Sequence, residues 1–262
     1  MKTTVYYHVW APADTDMWKI MVDDQIKRLY ASGLPQVATV KCAINGPQAS
    51  RIKNFISLYD WINIVGCRDS DEEYEGFTLK HLYEDCVNER ATKVMYFHTK
   101  GISHFCGVRD VYSDRRVRAI NSWRHLMEWG CIDKWKENLD KLDSYQVSGV
   151  NYCLDPWPHM SGNFWYENTL PIATLQHPTK QAFQRDPEDF GPIERMNFEK
   201  WVGMKDPSTF SFYNPPFSYD FKDMVPDVFI QYMKTKRQQS LYFKNLESII
   251  LMHPIHYVVM EV

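Results

Sequence analysis

The chain has few of the features that announce the common nucleotide and redox chemistries. Its 11 glycines are scattered, and no G-x-G-x-x-G, G-x-x-x-x-G-K or G-x-S-x-G segment occurs. A dinucleotide fingerprint, a P-loop and a hydrolase nucleophile elbow each need such a segment, so all three are disfavoured. Six cysteines at positions 42, 67, 86, 106, 131 and 153 include no C-x-x-C pair. That excludes a zinc ribbon or a dithiol redox motif and leaves free thiols in a reducing compartment. The longest weakly polar stretch, Ser248 to Met260, is broken by His253, Pro254 and His256 and is too short to span a bilayer. Met1 to Trp10 lacks the charged start and apolar run of a signal peptide, so a cytoplasmic protein is expected. The net charge of −3 and pI near 6.3 speak against nucleic acid or an anionic membrane as the main partner. There is no internal repeat and no low-complexity tract.

What the chain does have is apolar and aromatic bulk. With 262 residues, 44 % hydrophobic and 24 % charged, it can bury a full core without a staple. Aromatic residues make up 15 % of it, as 9 Trp, 16 Tyr and 14 Phe. Most belong in the core, and a minority suits a groove for sugar rings or bases.

The first hundred residues alternate between two periods. Thr3 to Trp10 is β-branched and aromatic and predicts a strand. Asp14 to Asp16 offers helix caps before a helical period that stops at Gly33. Strands follow at Gln36 to Ile44, Trp61 to Gly66 and Lys93 to His98, separated by helices at Gln48 to Tyr59 and Phe77 to Glu89. This β-α alternation predicts a parallel sheet flanked by helices, with ligands beyond the carboxyl ends of the strands. Two more helices, Arg116 to Trp129 and Ile132 to Leu142, lead to a short strand at Gln146 to Asn151. Ten of the 14 prolines then fall between Pro156 and Pro226, which predicts loops around short elements. Asp227 to Met252 is helical by period.

Three segments carry candidate chemistry. Tyr96-Phe97-His98-Thr99-Lys100-Gly101 ends a strand with a mobile cation and two hydrogen-bonding side chains, equipment for a phosphate. Arg109, Arg115, Arg116, Arg118 and Arg124 follow it, as a solvated helix face or as further phosphate ligands. Ser161-Gly162-Asn163-Phe164-Trp165-Tyr166 joins an amide to aromatic faces, which suits a sugar and equally suits a core. Arg195 to Gly203 sets Glu199 between aromatics, where burial raises a carboxyl pKa toward a general base's range. Two D-x-D triplets also occur. Asp14-Thr15-Asp16 reads as a helix cap. Asp69-Ser70-Asp71, in an acidic run through Glu75, reads as solvated loop or as a pair of Mg²⁺ or Mn²⁺ ligands. His98, His104 and Cys106 match no common zinc spacing.

As a set, these motifs resemble those of GT-A-type glycosyltransferases. The nearest likeness is to polysaccharide-building transferases of bacteria and large DNA viruses, which share a strand-end H-T-K motif and a later G-N-F-W segment. The resemblance runs over roughly residues 3 to 205. It implies an α/β, Rossmann-like, mostly parallel sheet in a single domain with a loop-rich acceptor half. Residues 1–101 would bind the nucleotide-sugar, 102–205 the acceptor, and 206–262 would form a helical extension packed on the same domain. It further implies transfer of a sugar, UDP-linked by prior, to a glycan hydroxyl, with no tightly bound organic cofactor. Tyr7, His8, Val9, Asp69 and Gly76 would meet the base and ribose, and His98, Thr99 and Lys100 the diphosphate. Trp157, Asn163 and Trp165 would shape the acceptor site. Glu199 would take the acceptor proton in an inverting reaction, with Asp155 as the alternative base. Such enzymes usually carry D-x-D after the fourth strand, and here His98-Thr99-Lys100 stands there. Either Lys100 and its neighbours replace the metal, or His98, or Asp69 with Asp71, ligates one. A glycoside hydrolase, a non-catalytic carbohydrate-binding protein and a nucleotidyltransferase are the rival readings.

Overall fold

The computed structural model describes residues 2–70, 73–88, 92–105, 115–154, 158–178 and 196–213. The first half is a βαβαβαβ unit: β1 (Thr3–Trp10), α1 (Met17–Ala31), β2 (Ala38–Asn45), α2 (Ala49–Ile56), β3 (Ile62–Arg68), α3 (Gly76–Val87) and β4 (Lys93–His98). The second half holds α4 (Arg115–Glu128), a π-helical turn (Trp129–Asp133) and α5 (Trp135–Lys141). Short strands follow: β5 (Val147–Gly149), β6 (Tyr152–Cys153), β7 (His159–Met160) and β8 (Trp165–Asn168). Then come α6 (Thr169–Ala173), α7 (Met196–Lys200) and β9 (Thr209–Ser211).

Seven strands form one sheet in the order β3-β2-β1-β4-β8-β5-β9. β3, β2, β1 and β4 are parallel, β8 runs against both of its neighbours, and β9 is parallel to β5. The result is a mostly parallel α/β sheet covered by helices on both faces, as the alternation predicts. Strand pleating decides what covers which face, because successive side chains point to opposite sides. Val5, Tyr7, Val9, Met95 and Phe97 pack with α1, α2 and α4 in one cluster. Tyr6, Val94, Tyr96 and Trp165 pack with α3, α6 and α7 in the other. In register, Tyr7 stacks flat on Phe97 at 4.4 Å, which locks the two central strands together.

Several local expectations change. Asp16 occupies the N-cap position of α1 but makes no capping bond. Its carboxylate pairs with Lys19 at 3.1 Å and Arg51 at 2.9 Å, and the Met17 amide donates to Thr15 Oγ1 instead. β2 begins at Ala38, because Leu34–Gln36 is a 3₁₀ turn after a left-handed Gly33. Trp165–Asn168, which belongs to a segment read as loop, is a central strand. Thr209–Ser211, within the segment assigned to the extension, is an edge strand of the same sheet. The expected helix at Asp227 to Met252 lies outside the described residues. No described helix is long and apolar enough to cross a membrane.

Candidate functional site

The order β2-β1-β4 creates a switch point. The chain leaves β1 toward β2 on one side and leaves β4 toward α4 on the other, so the carboxyl ends of β1 and β4 open a crevice between their loops. Thr99 closes the base of that crevice. Its hydroxyl donates to Trp10 O at 2.9 Å and accepts from Trp10 N at 3.1 Å, and its amide donates to His8 O. Gly101 then turns the chain at φ +86°, with α4 so near that a Cβ would sit 2.3 Å from Ile120 Cγ2. Only glycine meets both conditions. Between these two residues Lys100 extends along the Trp123 ring, 4.7 Å from its centre, and donates to Glu199 Oε1 at 2.9 Å.

Glu199 is brought there by α7, which packs Phe198 over the first turn of α3. Gly76 makes that approach possible, since a Cβ on it would lie 2.6 Å from the Phe198 ring. Burial raises the Glu199 pKa, but the Lys100 charge and hydrogen bond, with His98 and His159 beyond, outweigh it and bring the carboxyl down to about 2. The expected upward shift is therefore reversed by a partner 99 residues away. In this state Glu199 is a carboxylate held by an ammonium.

Behind the pair lies a buried polar wall on the α3 face of the sheet. His98 Nε2 donates to Gly162 O at 2.9 Å, and His98 Nδ1 faces Glu75 Oε1 at 3.5 Å. Glu75 Oε2 accepts from Asn163 Nδ2 at 2.5 Å and from Tyr96 OH at 3.2 Å. Trp165 Nε1 donates to Asn163 Oδ1 at 2.6 Å, and His8 Nδ1 meets Thr78 Oγ1 at 2.7 Å. Glu75 is thus an interior carboxylate, 3 % exposed, and not part of a solvated loop. Along the crevice the buried atoms Trp10 Nε1 and Asn45 Oδ1 have no hydrogen-bond partner among the described residues, and Glu75 Oε1 has only the 3.5 Å contact with His98 Nδ1. Buried polar groups are nearly always paired, so these under-satisfied atoms around a single switch point mark a place prepared for a polar guest.

The residues expected at the donor and acceptor sites separate in the structure. Lys100, Glu199 and His98 come together at the crevice, with His98 in the wall. Tyr7 and Val9 point into the α1 face, and Tyr7 OH donates to Gln25 Oε1 at 2.7 Å, so they can offer a ligand only backbone. Asn163 and Trp165 are fully buried and bonded to each other, a supporting wall in place of an exposed acceptor surface. Asp69 is exposed at the end of β3 with Ser50 Oγ at 3.3 Å. Asp71, Cys106, Arg109, Asp155 and Trp157 lie outside the described residues. Trp10, Asn45 and Glu75 lie in the strand-end segments where the sheet predicts ligands, but none of the three was singled out as a site residue. Glu75 had a usable signal, since it immediately precedes the first helical glycine of α3, but the acidic run around it masks that.

Metal ligation does not fit the end of β4. Both ring nitrogens of His98 face protein partners, the Thr99 hydroxyl is bonded to the Trp10 backbone, and Lys100 brings an ammonium. Among the described residues, ligating atoms gather within 4.8 Å of one another only at Asp24, His125 and Glu128, on the α1–α4 face. There Arg28 and Arg124 already donate to the Glu128 carboxylate at 3.1 and 3.2 Å, and Arg28 also grips Asp133 with two bonds of 2.9 Å. A divalent cation would have to displace guanidinium charge, so this cluster is a buried ion network that ties α1 to α4.

Solved structures similar to the chain include three of low identity. One is provisionally described as a nucleotide-diphospho-sugar transferase from Desulfovibrio desulfuricans G20, with 10 % identity, TM-score 0.45 and 94 % of each chain covered. A second is 4-diphosphocytidyl-2C-methyl-D-erythritol synthase from Anaerococcus prevotii DSM 20548, with 9 % identity, TM-score 0.42, and 90 % of this chain and 99 % of that one covered. The third is HddC from Yersinia pseudotuberculosis, with 10 % identity, TM-score 0.41, and 80 % and 90 % covered. The comparison with curated proteins finds no match. A family model does match, over residues 6–213, from the tyrosines of β1 to the last residues after β9. The chain therefore belongs to the family described as Domain of unknown function (DUF8361).

Proposed function

We propose that the chain is a glycosyltransferase that takes a sugar from a nucleotide-sugar, with UDP the first carrier to test, and passes it to a glycan hydroxyl with inversion. The observation that carries this reading is the Lys100–Glu199 pair, set at the switch point of a parallel sheet beside the under-satisfied buried atoms Trp10 Nε1 and Asn45 Oδ1. Breaking the bond between sugar and nucleotide leaves negative charge on the diphosphate. A fixed cation at a carboxyl-end crevice stabilises that charge without the metal that D-x-D would hold. Lys100 is the cation in this reading, and the residues after β4 support it over a divalent ion.

The pair also supplies a base. While Lys100 holds Glu199, the carboxylate is too acidic to take a hydroxyl proton. When the donor's diphosphate draws Lys100 away, the strongest influence lowering its pKa leaves, and the burial that remains raises it. Glu199 then becomes a better base in the complex that needs one. The acceptor hydroxyl attacks the anomeric carbon, its proton passes to Glu199, and the nucleoside diphosphate departs with the bonding pair.

A thermal-shift series with UDP, UDP-sugars and other nucleoside diphosphates, each with EDTA and with Mn²⁺, tests the donor site. The expected result is a shift with a nucleotide-sugar that EDTA leaves unchanged and that Lys100→Met removes. Glu199→Gln keeps the shift but loses turnover by about 100-fold or more. A shift that depends on Mn²⁺ would move the bet to Asp69 and Asp71. No shift with any nucleotide would favour the hydrolase or the carbohydrate-binding protein.

A further inference from the structure

A second feature lies well away from the crevice. Glu167, in β8, stands in register with Val94, near the start of β4, four residues before His98. At about 3.3 Å per residue the two places are roughly 13 Å apart along the strand. The Glu167 side chain is 1 % exposed and points to the α6 side, beside Val94 and Val147. Its Oε2 has no hydrogen-bond partner among the described residues. Glu167 lines a cavity of about 290 Å³ between β8, α6 and the turn that precedes β9, near the lower end of the range for small-molecule pockets.

The other polar groups around this cavity are hydrogen-bonded or lie on exposed side chains. Lys205 Nζ donates to Thr174 O at 2.7 Å and to Thr174 Oγ1 at 3.0 Å. Thr174 Oγ1 donates to Pro171 O at 2.8 Å, and Gln146 Oε1 accepts from Ser208 N at 3.0 Å. The rest of the lining is aliphatic, with Leu170 at the rim and Leu175 and Val202 inside. The one open polar group is therefore an acid at the end of an apolar pocket. A carboxylate in such surroundings is worth most to a cation that replaces its lost water.

We propose that this cavity binds a small primary alkylammonium group, its nitrogen on the Glu167 carboxyl and its chain along Leu175 and Val202. Nothing in the glycosyl-transfer reading requires this site. The groups that face Glu167 from neighbouring elements are the Cys86 thiol of α3 and the Lys205 ammonium across the cavity. Neither is a counter-ion for a carboxylate inside the pocket, since Lys205 is exposed and tied to Thr174. Burial alone pushes the Glu167 pKa well up, so an empty cavity keeps the proton and an entering ammonium displaces it to solvent.

The probe is n-butylammonium, titrated into the ¹⁵N-labelled full chain and followed by amide shifts of α6 and β8. The expected dissociation constant is on the order of 1 mM. Affinity should rise with pH above the range of an ordinary carboxyl, because the cation needs the ionised acid and burial raises the Glu167 pKa. Glu167→Gln, neutral and nearly the same shape, should weaken binding at least tenfold while the remaining spectrum stays folded. n-Butanol, the neutral probe of similar length, should bind more weakly. Equal binding of butanol, retention of affinity in Glu167→Gln, or no saturable shift with butylammonium would each overturn the proposal. The last result would leave ordered water as the occupant.

Discussion

Glu128 and Glu167 are both buried, one on each face of the sheet and near opposite ends of its strands. Glu128, at the end of α4, accepts four hydrogen bonds. Gln25 Nε2 and Arg124 Nη1 bind one oxygen at 2.9 and 3.2 Å, and Arg28 Nη1 and His125 Nδ1 bind the other at 3.1 Å each. Burial opposes its ionisation, but Arg124, His125 and Arg28 overcome that and hold its pKa well below the ordinary carboxylate range. Glu167 meets burial with no counter-charge, and its pKa moves up. The same side chain at the same depth takes opposite charge states, and the partners alone decide which. A fully engaged carboxylate holds helices together, whereas an open one is available to something else.

The largest effect should come from breaking the engaged member. Glu128→Gln takes the shared buried carboxylate from two guanidiniums, leaving Arg28 with Asp133 alone and Arg124 with Asp24 at 3.8 Å, and turns one acceptor oxygen into a donor that faces other donors. The expected loss is about 3–5 kcal/mol, read as a lower urea midpoint at unchanged slope. The pH dependence sharpens the point. A carboxyl with a depressed folded pKa stabilises fully above its unfolded value and loses that contribution as pH falls below about 4.5 toward the folded value. Wild type should therefore weaken steeply in acid, and Glu128→Gln should weaken less. Equal acid limbs in the two proteins would show that the network does not hold this charge.

How much of this was readable in advance follows from the range of the interactions. β4 was read from Lys93 to His98, because its apolar run is bounded on both sides, and the structure gives the same ends. Lys100 and Glu199 were singled out for separate reasons, a cation at a strand end and an acid among aromatics. That they meet depends on α7 docking 99 residues later, which no local pattern encodes. β8 was missed because four residues after a Ser-Gly-Asn turn look like a ligand loop. Their strand character comes from two neighbouring strands already in place. Glu75 was missed for a related reason. Its neighbours in sequence are acidic and solvated, but its partners are Tyr96 and Asn163, 21 and 88 residues away. Short-range chemistry was legible, and long-range satisfaction of polar groups was not. The under-satisfied atoms Trp10 Nε1, Asn45 Oδ1 and Glu75 Oε1 belong to the second kind, so only the folded chain gathers them as a set.

The smallest and most informative effect concerns the open member of the pair. Glu167 has a raised folded pKa, so between about pH 4.5 and that value the native state keeps a proton the unfolded chain has released. Stability must then fall as pH rises through this window and level off above it. Glu167→Gln removes the penalty and keeps the shape. It should match wild type near pH 4 and exceed it at pH 7, by about 1 kcal/mol or more. This is the opposite sign to Glu128→Gln, whose cost is greatest at pH 7 and shrinks in acid. At pH 7 the urea midpoints of the two variants would thus move in opposite directions relative to wild type, and near pH 4 Glu167→Gln would no longer differ from it. If Glu167→Gln instead destabilised the protein at pH 7, the carboxylate would have to be ionised and paired in the apo state. The cavity would then hold a counter-charge of its own, and the contrast between the two glutamates would reduce to the identity of the partner.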